Sequence, residues 1–131
     1  MGRERKIIKT LSTAETVVMK AIWDAGKDIS FAELLELINT EYEKDYKRTT
    51  LATYLQRLED KDFIEIYHKG KFAYIRVITD EDDYKQQLIR ENTRFWYNGN
   101  TMEYMTALFR SGELSAEDVK RLREIVDEMD T

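Results

Sequence analysis

The sequence has no cysteine and no proline, one histidine, and five glycines in 131 residues. Without cysteine there can be no disulfide, no thiolate metal site and no thiol nucleophile or redox chemistry. A single histidine, His68, leaves no second imidazole to share a metal ion and no base–acid pair around a nucleophile, and no glycine-rich loop of the phosphate-cradling kind is present. Neither an enzyme nor a cofactor or metal site is therefore expected. Also missing is any apolar run long enough to span a bilayer. The opening "MGRERKIIKTL" lacks the apolar stretch and cleavage site of a secretory signal. A cytoplasmic protein without membrane insertion is the expectation. The chain is long enough for one domain, or a small domain with an appendage, and its 42% hydrophobic residues separate it from disordered chains.

Net charge is −5, but its distribution is uneven. Residues 1–78 hold 14 Lys and Arg against 13 Asp and Glu, whereas residues 79–131 hold 7 against 13. The acidity belongs to the carboxy-terminal segment. The amino-terminal part is close to neutral and can present a local basic face to an anionic partner.

Four of the glycines, Gly26, Gly70, Gly99 and Gly112, fall where a periodic segment stops. Ser12 with Glu15 forms a capping box, and Val18, Ile22 and Trp23 follow at helical spacing until Gly26. Ser30 with Glu33 opens a second helix whose apolar face holds Leu34, Leu35 and Ile38. A third helix is predicted over about 49–61. The period then changes to β-branched and aromatic alternation around a glycine turn, so 63–78 reads as a hairpin with His68 to Lys71 at its tip. Three helices followed by a hairpin is the order of a winged helix-turn-helix. From Asp80 the chain is helical again. The acidic run Asp80 to Asp83 suits a helix start and lacks the spacing of a calcium loop, and Ser115 with Asp118 opens the last helix. The fold class is therefore mainly α (α+β), with a winged-helix domain over 1–78 and a three-helix segment over 79–131.

The third helix decides the functional reading. At 100° per residue, with Thr50 at 0°, Thr53 lies at about 300°, Tyr54 at about 40° and Arg57 at about 340°, while Leu51, Leu55 and Leu58 lie between about 80° and 140°. One face is apolar. The other carries Thr, Tyr and Arg, with Lys47, Arg48 and Thr49 at its start. Short threonines permit close approach to a duplex, and arginine forks onto guanine or phosphate. The candidate DNA contacts are thus Lys47, Arg48, Thr49, Thr50, Thr53, Tyr54 and Arg57 from the helix, and His68, Lys69 and Lys71 from the wing. The acidic net charge supports a second reading, a winged-helix module whose third helix meets protein.

The carboxy-terminal segment is too short to bury much core alone. It nevertheless carries Leu88, Phe95, Trp96, Met102, Met105, Leu108, Phe109, Leu122 and Ile125. A second copy of the chain is the natural cover, so a homodimer is expected. Core or dimer interface is also preferred to a ligand box for "RFWYNGN" and the Met102/Met105 pair.

Taken in order, "LSTAETVVMKAIW", "TTLATYLQRLEDKDFI", "DEDDY" with "RFWYNGN", and "GELSAEDVKRLREIVDE" resemble the penicillinase and methicillin-resistance repressor family from Leu11 onward. The family's Thr-x-x-Thr-x-x-x-Arg-Leu pattern is matched by Thr50, Thr53, Arg57 and Leu58. The resemblance implies a dimeric repressor on an inverted-repeat, palindromic operator in double-stranded DNA, often with TACA/TGTA half-sites, beside genes for β-lactam resistance or other stress functions. It further implies release by an inducing protease that cuts the dimerisation segment, here near Leu108-Phe109. Leu108 stands where the penicillinase branch has asparagine, and Thr49 where a lysine usually precedes the first threonine. The cysteine cluster of the copper-responsive branch is absent.

Overall fold

The computed structural model describes residues 7–130. It is mainly α with a small sheet: α1 (Thr13–Ala25), β1 (Ile29–Ser30), α2 (Phe31–Glu41), α3 (Arg48–Asp60), β2 (Ile64–Lys69), β3 (Phe72–Val77), α4 (Glu81–Tyr97), α5 (Thr101–Arg110) and α6 (Ala116–Met129). No helix among the described residues is long and apolar enough to cross a membrane. The chain divides into two compact units, the first ending at Lys85 and the second beginning at Gln86.

In the first unit the helix starts follow local chemistry. Ser12 and Ser30 accept from the backbone N–H of Glu15 and Glu33, and both glutamates reach back to the capping backbone. Gly26, at φ +67, ends α1 in the left-handed conformation. At the end of α3 the same task falls to Asp62, at φ +65. The N–H groups of Phe63 and Asp62 close on the carbonyls of Leu58 and Glu59, a Schellman arrangement. That turn brings Phe63 against the buried Leu58 side and sends the chain directly into β2.

The sheet is three-stranded and antiparallel, in the order β1-β3-β2. The sequence indicates only the hairpin. β1 pairs two residues, Ile29 with Ile75 and Ser30 with Tyr74, across a long sequence separation, which no local pattern encodes. The hairpin loop is also tighter than expected. His68 and Lys69 stay paired with Ala73 and Phe72, and only Gly70 and Lys71 form the turn. Gly70 takes φ +63 at the first turn position, where a two-residue loop calls for glycine.

Helices and sheet close over Val18, Met19, Ile22, Leu34, Ile38, Leu51, Leu55, Leu58, Phe63 and Ile75, all essentially inaccessible. Fully burying each large side chain contributes roughly 1.5–3 kcal/mol. Phe63 sits between Trp23 and Tyr84, with ring centroids 6.2 and 5.3 Å away. Tyr84 also accepts a 3.1 Å hydrogen bond from the N–H of Leu11, and the indole N–H of Trp23 donates to the Thr79 carbonyl at 3.0 Å. The first turn of α4 is thereby part of the first unit's core.

In the second unit Asn100 and Ser115 cap α5 and α6, the latter with Asp118 in a full capping box. Hydrogen bonds from Ser115, the backbone N–H first, hold the Asp118 carboxyl below its ordinary pKa. Tyr97 stacks on Tyr104 with centroids 5.1 Å apart. No apolar side chain described in this unit is fully enclosed.

Candidate nucleic-acid interface

α3 presents the two faces that its spacing requires. Leu51, Leu55 and Leu58 are buried, Thr53 and Arg57 are exposed, and Thr50 and Tyr54 are half-buried. Tyr54 is drawn inward because its ring packs on Tyr46 at 5.6 Å. The turn before α3 is held by Asn39, whose side chain accepts from the N–H of Tyr46 at 2.8 Å and donates to the Tyr46 carbonyl at 3.1 Å. This pair of hydrogen bonds to one backbone residue fixes where α3 begins. The helix starts one residue earlier than its sequence suggests, at Arg48, with Lys47 at the cap position and no side chain bonded there. Its first backbone N–H groups remain open to an anion.

The hydroxyl of Thr53 donates back to the Thr49 carbonyl at 3.0 Å. Its methyl is then the group left for an apolar contact. From Lys47 to Leu58 the helix carries no acidic residue. Among the described residues no ion pair joins Lys47, Arg48, Arg57, Lys69 or Lys71 to a carboxylate. Arg48 and Arg57 lie instead over aromatic rings, Arg48 over Phe31 at 4.8 Å and Arg57 over Tyr54 at 5.8 Å.

Beside the start of α3 lies an open cleft of about 540 Å³, between α2, α3 and the wing. Phe31, Ala32, Ala52, Phe72 and Ala73 form its apolar walls, and Ser30, Arg48, Thr49, His68 and Lys71 supply its polar groups. The structure thus brings Arg48 and Thr49 together with His68 and Lys71. Lys69 is not part of that lining. Strand alternation puts it on the face of Tyr67 and Glu65, a face that its pair partner Phe72 shares at the strand end while also reaching the cleft. That side is internally engaged. Tyr67 donates to Asp28 at 2.5 Å, which raises its pKa, and Arg76 pairs with Asp28 and Glu65. Sequence reading missed Phe31, Phe72 and Asn39. Phe72 at the wing turn, 57% exposed, was the one with a visible signal, a large aromatic next to a glycine turn.

The residues read as a dimer face are mostly at the surface. Phe95, Trp96, Met102, Leu108, Phe109 and Ile125 are exposed, while Leu88, Met105 and Leu122 are half-buried.

Three helices, a β-hairpin wing and an exposed acid-free edge on the third helix define a winged helix-turn-helix. The sequence profile described as penicillinase repressor matches residues 11–128, and the chain belongs to that family of transcriptional repressors. It is 27% identical to the penicillinase repressor of Bacillus licheniformis over 123 residues, covering 94% of each chain. It is 26% identical to the methicillin resistance regulatory protein MecI of Staphylococcus aureus (strain N315) over 117 residues, covering 89% of this chain and 93% of that one. Among solved structures, the DNA binding domain of the repressor BlaI aligns with a TM-score of 0.51 and 29% identity, over 60% of this chain and 93% of that one.

Proposed function

We propose that this protein is a dimeric repressor of transcription that binds an inverted-repeat operator in double-stranded DNA. α3 enters the major groove, and the wing rests on the adjacent backbone. Lys47, Arg48 and Thr49 meet phosphates at the start of the helix, Thr50, Thr53, Tyr54 and Arg57 face base edges or sugars, and His68, Lys69 and Lys71 act from the wing. The observation that carries this reading is the acid-free edge of α3 beside the wing turn, in a member of a repressor family.

Dimerisation falls to the second unit, whose exposed Phe95, Trp96, Met102 and Phe109 need a cover that a second copy supplies. Release follows an inducing signal. The Leu108-Phe109 bond lies in the last turn of α5, with both side chains partly exposed, so a protease reaching it needs only that turn to fray.

The test is binding of the purified chain to a labelled fragment of its own upstream region, with excess nonspecific DNA and at several salt concentrations. Tight, competitor-resistant binding that weakens with salt is expected. Arg57→Ala and Thr53→Ala should each cost roughly 1–3 kcal/mol on the operator where a good base contact is lost. Binding no tighter than that to the competitor would overturn the reading.

A further inference from the structure

Among the described residues no Asp or Glu lines the cleft beside α3, although acidic residues number 26 in the chain. Its walls are apolar and its rim is cationic, so it is amphipathic in the sense of a nucleotide backbone, which alternates apolar sugar carbons with phosphate charge. Resting on the DNA-binding reading above, we propose that this cleft seats one strand's sugar–phosphate backbone and that Phe31 is the positioning residue that aims Arg48 at its phosphate.

Phe31 is the first residue of α2, immediately after the capping Ser30. Its place is fixed by that cap and by the pairing of Ser30 with Tyr74 on β3. The backbone that carries the ring is thus anchored at Ser30 by the cap and by the strand pairing. The Arg48 guanidinium lies 4.8 Å from the ring centre, and among the described residues no carboxylate pairs with it. An arginine on a long flexible stem loses side-chain freedom on binding a phosphate, and a ring that already holds the planar group reduces that loss. Across the cleft, Phe72 offers the exposed apolar surface that sugar carbons can cover, with Lys71 Nζ 5.8 Å from its ring centre. Small residues at Ala32, Ala52 and Ala73 leave the room between them.

A backbone contact carries no base sequence, so the full-length chain should be tested on its own upstream fragment and on a scrambled duplex in parallel. Phe31→Leu keeps an apolar side chain and removes the ring. It should weaken binding about threefold on both duplexes, as expected for an exposed cation–π partner, whereas Phe31→Tyr should restore wild-type affinity. Arg48→Ala should lower the salt slope by about 1, and adding Phe31→Leu to it should change nothing more, because the ring acts only through the guanidinium. Phe72→Ala should weaken binding on both duplexes without changing the salt slope, since no counterion is released by an apolar contact.

Equal losses from Phe31→Leu with and without Arg48 would make Phe31 merely structural and overturn the proposal. So would losses confined to the upstream fragment, which would make Arg48 a base reader. Wild-type chain that prefers its upstream fragment while Phe31→Leu binds normally would leave the repressor reading intact and remove this inference alone. Wild-type chain that binds neither duplex would remove both.

Discussion

The two units of this molecule are equally well provided with local structure and differently provided with core. Ser12 and Ser30 cap helices in the first, and Asn100 and Ser115 do so in the second. Yet among the described residues every fully enclosed apolar side chain lies between Leu11 and Tyr84. Beyond Gln86 the enclosed residues are the polar Gln87 and Thr93, while Phe95 and Met102 are 75% and 70% exposed. Caps and periodicity decide that helices form, but apolar burial decides whether they persist. The first unit contains its own stabilisation. The second encloses no apolar side chain of its own among the described residues.

The sharpest way to break that contrast is to strike matching aromatic residues. Phe63→Ala empties the centre of the Trp23–Phe63–Tyr84 cluster and should destabilise the first unit by about 4 kcal/mol, read by denaturant unfolding and independent of protein concentration. In the second unit Trp96→Asp should leave the helical signal of the first unit intact. It should instead weaken self-association by at least about 30-fold, as for an interface hot spot, measured by analytical ultracentrifugation over a dilution series. Unchanged association would show that this face is not the dimer interface.

A smaller effect sharpens the account of the first unit. Glu15 is buried, and Lys61 reaches it from the end of α3 at 2.6 Å while also donating to the Thr10 carbonyl. Burial raises the Glu15 pKa, but the Lys61 hydrogen bond, the Ser12 N–H and the Lys61 charge together outweigh it and lower the net value. A depressed folded-state pKa gives stability that is complete above the unfolded value of about 4.3 and is lost as pH falls through the folded one. Lys61→Met should therefore cost about 2 kcal/mol at neutral pH, and the gap to wild type should close below about pH 4 as Glu15 takes up a proton. Parallel stability curves across that range would contradict this account.

What the sequence could convey follows from distance along the chain. The capping boxes at Ser12, Ser30 and Ser115 are four-residue signals and are realised as read. The two faces of α3 follow from its leucine spacing, and the hairpin from Gly70. What was hidden is long-range. β1 pairs across some 45 residues with β3, Asn39 fixes the start of α3 from the preceding helix, and Phe31 meets Arg48 through the meeting of two helices. The left-handed Asp62 was hidden for another reason, since glycine is the residue that ordinarily marks such an end. The cleft is accordingly the part of the candidate site that residue types alone could not assemble.

The smallest prediction puts one chemical change into both units. Ser12→Ala and Ser115→Ala each remove a side-chain acceptor from a capping box, at a cost of about 1 kcal/mol apiece. In the first unit the cap belongs to a helix packed on a complete core. Ser12→Ala should lower the melting temperature by the same amount at every protein concentration. In the second unit α6 exposes Val126 and Met129 and has no core of its own. Its folding should be coupled to association, so the effect of Ser115→Ala should depend on protein concentration, with dilution deepening the loss. If both variants melted with the same concentration-independent shift, the second unit would be as self-sufficient as the first, and the contrast between them would fail.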